Sequence, residues 1–251
     1  MKTTGNTILI TGGNAGIGRG LAESLQKLGN HVIIAGRNQA MLDETIAANP
    51  GMDAIVLDIE DPAAIRAFAA QVVKDYPALN VVINNAGIMR PENLKAQPDD
   101  LADMEAIVTT NLFGPIRLTA ALLPHLLGQE AATLINVSSG LAFVPLPMTP
   151  TYSATKAAIH SYTDSLRVQL KDTAVEVLEI IPPGVQTKLM KGQDSNPQMM
   201  PFDEFIQETM GILTTQPTPQ EICVERVKGL RFAEANGQYG EMLTMLSGFS
   251  H

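Results

Sequence analysis

Thr7-Ile8-Leu9-Ile10-Thr11-Gly12-Gly13-Asn14-Ala15-Gly16-Ile17-Gly18 decides the fold. An apolar run of strand length stops at a glycine-rich turn, and Gly16–Leu28 then continues with apolar residues at helical spacing. Glycines at 12, 16 and 18 permit a tight turn, close approach of a pyrophosphate and close packing of helix on strand. The helix start would offer free backbone N–H groups to phosphate oxygens. A glycine-rich loop alone is weak evidence. The strand–turn–helix setting is the context that gives it meaning.

The same alternation runs outward along the chain. Strand candidates are Thr7–Thr11, His31–Ala35, Ala54–Leu57, Leu79–Asn84, Ala132–Ser138 and Val175–Ile181, nearly continuous in Val, Ile and Leu as for strands buried on both faces. Helical spacing marks Gly16–Leu28, Ala40–Ala48, Pro62–Asp75, about Asp100 to Leu127, and Thr151–Lys171. Asp61-Pro62 sets a capping carboxylate before a proline at the first helical position. Strict β/α alternation predicts an α/β, doubly wound Rossmann fold with a parallel sheet, right-handed crossovers and helices on both faces. No repeat or linker interrupts it, so residues 1–251 are expected to form a single domain. After Thr187 the pattern loosens into a Met-, Pro- and Gln-rich stretch, 188–218, expected to be a substrate-binding loop or lid with a helical patch at Phe202–Leu213. Helical period returns at about Pro219–Ala235, and Gln238–His251 is expected to hold a last short strand.

Composition narrows the function. The 251 residues are 45% hydrophobic with a formal net charge of -9 and no block of like charge, against a nucleic-acid or anionic-membrane partner. The single Cys223 excludes an internal disulfide and fits a reducing compartment. No apolar run approaches the roughly 20 residues of a membrane span, and the N-terminus enters the first strand without a signal peptide, so a cytoplasmic location is expected.

The strand ends converge on one edge of such a sheet, where open α/β sheets bind ligands. Gly36-Arg37-Asn38 follows the second strand, where a carboxylate would favour NAD(H) and an arginine a 2′-phosphate. This favours NADP(H), with NAD(H) the alternative. Asp58, followed by Ile59, closes the third strand and is placed for the adenine amino group. Asn84-Asn85-Ala86-Gly87 closes the fourth and would let the backbone lie against the inner ribose. Downstream, Tyr152-Ser-Ala-Thr-Lys156 sets a phenol and an ammonium four apart on one helix face. A free tyrosine has a pKa near ~10, and bringing it to neutrality needs about 4 kcal/mol. One ammonium at about 4 Å supplies roughly that at an effective dielectric of ~20. The pair is a candidate general acid/base.

Thr11-Gly12-x-x-x-Gly16-Ile17-Gly18, Asp58, Asn84-Asn85-Ala86-Gly87, Asn111, Ser138-Ser139 and Tyr152-x-x-x-Lys156 occur together and in order. With them the chain resembles the short-chain dehydrogenase/reductase family over about Thr7 to Thr187. Ile135-Asn-Val-Ser-Ser-Gly-Leu-Ala-Phe-Val-Pro145 and Lys156-Ala-Ala-Ile-His-Ser-Tyr162 are most similar to its branch named after teichoic-acid D-alanylation gene clusters, a name that fixes no substrate. The resemblance implies a seven-stranded parallel sheet of order 3-2-1-4-5-6-7. It implies Asn111, Ser139, Tyr152 and Lys156 as the catalytic four, with Ser139 preferred to Ser138 because it stands 13 residues before the tyrosine. Ser139 would hydrogen-bond the substrate carbonyl and Tyr152 would exchange the proton. Lys156 would lower the tyrosine pKa and hold the nicotinamide ribose, and Asn111 would bind a water linking Lys156 to solvent. The implied cofactor contacts are Gly12, Asn14, Gly16, Ile17, Gly18, Arg37, Asn38, Asp58, Ile59, Asn85, Ala86, Gly87, Tyr152, Lys156, Pro182, Val185 and Thr187.

Two departures stand out. Pro182-Pro183-Gly184-Val185-Gln186-Thr187 has Pro183 where the family commonly has glycine, stiffening the turn while keeping Val185 and Thr187 for the carboxamide. The usual glycine pair after the last strand is missing, which leaves homodimer and homotetramer equally open. Candidates for an apolar substrate wall are Phe143, Leu146, Met190 and Phe202, with Val144, Met148, Met199, Met200 and Phe205 nearby. No set of metal ligands is visible. The expected activity is hydride transfer between NADP(H) and hydrophobic or aryl ketones or secondary alcohols. The rivals are a hydroxysteroid- or acyl-type dehydrogenase and a non-catalytic dinucleotide sensor.

Overall fold

The computed structural model describes residues 1–96 and 100–248. In β1 (Thr7–Thr11), Ile8 and Ile10 enter one core and Leu9 the other, because successive side chains leave opposite faces of a strand. The other strands are β2 (His31–Gly36), β3 (Asp53–Val56), β4 (Leu79–Asn84), β5 (Ala132–Val137), β6 (Val175–Ile181) and β7 (Glu221–Cys223). They pair in parallel in the order β3-β2-β1-β4-β5-β6-β7. The order reverses between β1 and β4, and the carboxyl ends of the strands on either side open a crevice there.

One core packs β1, β2 and β4–β6 against α1 (Gly16–Lys27), α2 (Gln39–Ala48) and α7 (Phe202–Leu213), through Leu21, Leu25, Leu42, Phe205 and Leu213. The other packs the opposite face against α3 (Pro62–Asp75), α5 (Gly114–Leu127) and α6 (Pro150–Leu170), through Phe68, Val72, Leu118, Leu122 and Leu166. Asp61 caps α3 by accepting from the Ala63 N–H at 2.7 Å, with Pro62 in the first turn, and Asn38 caps α2 from the Met41 N–H at 3.1 Å.

α4 (Ala102–Val108) joins α5 through a π-helical turn, Thr109–Phe113. The whole stretch Ala102–Leu127 is long and apolar enough by composition to cross a membrane. Here it is a core element, with Leu118, Leu122 and Leu126 buried against α3 and the sheet.

The last quarter differs from the sequence expectation. β7 lies inside the stretch expected to be helical, and α9 (Tyr239–Ser247) occupies the tail where a strand was expected, with 249–251 outside the described residues. β7 has only three residues and is recruited by main-chain pairing with β6, so no alternation could reveal it. The apparent helical period came from Val227, Leu230 and Ala233, in and just after a tight turn and the four-residue α8 (Lys228–Arg231). In α9, Met242, Leu243 and Leu246 recur at helical spacing and pack on Leu141, Val144 and Leu146.

Candidate active site

The turn after β1 is shaped by contacts that side chains would block. Gly12 has φ +66, and a Cβ there would lie 3.0 Å from Asn85 Nδ2 and 3.1 Å from Ala86 Cα. Gly16 has φ +48. No side chain caps α1, whose N-cap is Ala15, so its first N–H groups face the cleft ready for an anion. Gly18 stands in α1 behind the turn rather than on the cleft, as expected for the packing glycine. Thr11, quoted in the motif without a role, is the lock. Its hydroxyl accepts from the Asn85 and Ala86 N–H groups at 3.0 and 3.1 Å, while Asn85 Nδ2 donates to the Thr11 carbonyl at 2.9 Å. The phosphate turn and the end of β4 are thereby one unit.

The cleft above these strand ends has a volume of about 490 Å³, inside the roughly 300–1,000 Å³ range of ligand pockets. Of the expected cofactor contacts all line it except Gly18 and Asp58. Asp58 is exposed, and its carboxylate accepts from the Glu60 N–H at 3.0 Å, making a local turn. Arg37 is at the rim, where Nη1 donates to Glu60 Oε1 at 2.8 Å, and Thr110 Oγ1 donates to the same oxygen at 2.8 Å. Glu60 carried no sequence signal, since a solvated acid after a strand is unremarkable. A glycine-lined turn, unspent helix N–H groups and a cleft of this size fit an extended dinucleotide.

Ser139, Tyr152 and Lys156 meet at the floor. Ser139 follows β5 and its hydroxyl oxygen accepts from the Leu141 N–H at 3.1 Å, which fixes its direction. Ser139, and not Ser138, lies near enough to Tyr152 to act on its phenol. Lys156 Nζ donates to the Val137 carbonyl at 2.8 Å and stands 5.6 Å from the Tyr152 ring centroid. Burial, opposed by the nearby Ser139 hydroxyl, pushes the Tyr152 phenol up to about 12. Burial also brings Lys156 down to about 8, with Glu179 acting against it. The sequence expectation of a lowered tyrosine is thus corrected. Desolvation of a buried phenol outweighs the neighbouring Ser139.

Asn111 sits in the π-helical turn, a distortion frequent at functional sites. Its Oδ1 accepts from the Ile88 N–H at 2.8 Å, and its Nδ2 donates to the Ile88 carbonyl at 2.9 Å and to Thr155 Oγ1 at 3.3 Å. Its observed contacts therefore pin the loop after β4, and Lys156 is not among its partners.

The expected substrate wall is not brought together. Phe143 stacks edge-on to His160 at 4.6 Å under the Arg231 guanidinium, and Leu146 packs in the cluster under α9. Phe202 and Ile206 press on α1, where a Cβ on Gly20 would lie 2.8 Å from Phe202 Cζ and 2.6 Å from Ile206 Cδ1. Met190 is half-buried outside the cleft. Long apolar side chains in this stretch were needed to cover the core. The residues that border the open end are Ile88, Met89, Arg90, Lys188, Leu189 and Gln193, all on loops without a periodic signal.

A further feature escaped the sequence reading. Asn84, Asn136, Glu179 and Glu221 are in register across β4–β7, one polar rung beneath the strand ends. Asn84 Nδ2 donates to Asn136 Oδ1 at 2.9 Å and Thr119 Oγ1 at 3.1 Å, and Asn136 Nδ2 donates to Thr163 Oγ1 at 2.9 Å.

The model of the short chain dehydrogenase family matches residues 6–198. The chain is 43% identical over 237 residues to the uncharacterized oxidoreductase DltE of Bacillus subtilis (strain 168), with 93% of each covered. Among solved structures it is similar to a short-chain dehydrogenase from Streptomyces avermitilis, at TM-score 0.83 and 26% identity, covering 100% of this chain and 98% of that one. It is also similar to the closed form of a serine dehydrogenase complexed with NADP+, at TM-score 0.73 and 27% identity, covering 83% and 89%.

Proposed function

The chain belongs to the short-chain dehydrogenase family and is an oxidoreductase that binds a nicotinamide dinucleotide, and on that premise we propose an NADP(H)-preferring carbonyl reductase of hydrophobic or aryl ketones. The observation that carries this reading is that Ser139, Tyr152 and Lys156, all buried, line the floor of one cleft. A reduced nicotinamide held along the glycine turn and the β4 end would supply hydride to a carbonyl carbon. Ser139 would donate its hydroxyl proton toward the carbonyl oxygen and orient it. Tyr152 would transfer its phenolic proton to that oxygen as negative charge develops there, leaving a phenolate beside the Lys156 ammonium. One hydride and one proton convert the ketone to the alcohol. A phenol with a pKa near 12 rests protonated across the neutral range, which suits reduction better than oxidation.

Arg37 at the rim, with no carboxylate in its place, supports a 2′-phosphate and hence NADP(H). Glu60 steadies that guanidinium and leaves its other N–H donors free. Ile88, Met89 and Leu189 at the open end support an apolar substrate. Phe113, Leu127 and Val168 are large exposed hydrophobics that support assembly with further copies of the chain. Mixing the protein with NADPH and an aryl ketone and following loss of reduced-cofactor absorbance tests the reading. Cofactor binding without consumption would sink it in favour of a sensor.

A further inference from the structure

Glu179 is a carboxylate inside the sheet, with no exposed side-chain surface. Alternation along β6 puts it on the face of Val175 and Val177, beneath α6. It is register-paired with Asn136, next to the residue whose carbonyl holds Lys156 Nζ. One helical turn beyond Lys156, His160 Nδ1 faces both Glu179 oxygens at 2.9 and 3.1 Å. Two turns further, Arg167 Nη2 stands 3.5 Å from Glu179. The surrounding charges are Asp164, paired with Arg167 and 3.7 Å from His160, and on β7 Glu221, forked by Arg231 at 2.7 and 2.8 Å. Cys223 lies 3.9 Å from Glu221. His160, Glu179 and Glu221 have their ligand atoms within 4.8 Å of one another, yet the guanidiniums of Arg167 and Arg231 already serve the carboxylates, so a metal is not needed there.

A fully buried acid on the face of a strand that otherwise carries Val175, Val177 and Ile181 is costly unless it acts on something. We propose that Glu179, held by His160 and Arg167, is a positioning residue that keeps the Lys156 ammonium charged beneath the cleft. Its place in catalysis rests on the dehydrogenase reading, but the electrostatic coupling does not. Lys156 needs such a partner because burial works against its charge and, among the described residues, its one direct hydrogen bond is to a neutral carbonyl. His160 and Arg167 temper the carboxylate, so removing either side of the cluster has an opposite consequence for Lys156.

The test is the titration of Lys156 in the full chain, without substrate, by NMR of lysine labelled at the ε-carbon, with the resonance assigned from its absence in Lys156→Met. Glu179→Gln is expected to lower the midpoint by about one pH unit. Arg167→Gln, which uncovers the carboxylate and Asp164, is expected to raise it. Midpoints unchanged, or moved the same way, overturn the proposal, since a merely structural disturbance has no reason to produce opposed shifts. If Glu179→Gln does not fold, Arg167→Gln decides alone, and an unchanged or lowered midpoint overturns the coupling. Turnover of NADPH with an aryl ketone is measured separately. If it occurs, its pH profile is expected to follow the Lys156 midpoint. Opposed midpoints with no turnover by the native chain support the coupling and sink only the enzymatic reading.

Discussion

Gly18→Ala and Gly211→Ala make the same chemical change with opposite expected signs. A Cβ on Gly18 would lie 2.3 Å from the Gly12 carbonyl oxygen, 2.9 Å from its carbon and 2.4 Å from Asn85 Nδ2. None of these can retreat freely. The Gly12 N–H donates to the Ala35 carbonyl at 2.7 Å, and Asn85 is fastened to Thr11. Overpacking of this kind costs roughly 1–3 kcal/mol, and two rigid neighbours place it toward the upper end. Alanine in a helix returns about 1 kcal/mol relative to glycine. The net loss is about 1–2 kcal/mol, and at about 2–4 °C per kcal/mol for a chain of this size the midpoint falls by about 2–8 °C. Gly211 lies in α7 with nothing within 4 Å of a Cβ, so there only the helical gain remains, and the midpoint rises by about 2–4 °C. Thermal unfolding followed by circular dichroism, with and without NADP+, measures both. Gly18→Ala is also expected to lose most of the stabilisation that dinucleotide gives the native chain, because the turn that Gly12 shapes is displaced. A Gly18→Ala midpoint at or above the native value would refute the packing role and with it the geometry of the phosphate turn.

Tyr152→Phe is expected to lower turnover of an aryl ketone by about 10²–10⁴-fold while NADPH binding, read by fluorescence, stays nearly unchanged; surviving turnover would remove the tyrosine from the acid role. Arg37→Asp exchanges a donor for a like charge and is expected to weaken NADPH by about 10- to 100-fold, with NADH little affected; equal NADPH affinity afterwards would dismiss the 2′-phosphate contact. Lys156→Met is expected to lose activity yet raise the unfolding midpoint at neutral pH. The native chain holds Lys156 near 8 against 10.5 in the unfolded chain, so the unfolded state binds more protons between those values and native stability rises with pH there. The burial penalty, about 3 kcal/mol below that window less about 1 for the lost Val137 hydrogen bond, is what the substitution relieves, and the rise with pH flattens in calorimetry.

Much of the architecture was legible because it is written in periodicity. Runs such as Val32-Ile33-Ile34-Ala35 have no polar face, so they can only be strands covered twice, and the intervening helical segments supply the cover. Where tertiary contact outweighed local pattern, legibility failed. Glu221-Ile222-Cys223 is a strand only because β6 offers an open edge, and Tyr239–Ser247 is a helix whose apolar stripe exists to seal Leu141 and Val144. The pairing of Tyr152 with Lys156 was legible by helical spacing, while Ser139 was expected beside them from the family resemblance, and the structure brings the three to one cleft floor. The electrostatics of that floor were not legible, because the arithmetic for one ammonium beside one phenol omits the desolvation of both.

That omission points to where the missing charge comes from. Ser139, Tyr152 and Lys156 are enclosed in a low-dielectric floor, and enclosure favours the neutral form of each titrating group there. A proton relay needs the opposite, a persistent cation against which a phenolate can form. In sequence, Glu179 looks like an error in an apolar strand, and His160 like an ordinary helix residue. Register and helical turn bring them together one turn beyond Lys156 on α6, and alternation along β6 leaves the carboxylate no route to water. The polar rung is expensive for the sheet, and the positioning role proposed for Glu179 accounts for that cost. A strand that served packing alone would place valine at 179, as it does at 175 and 177.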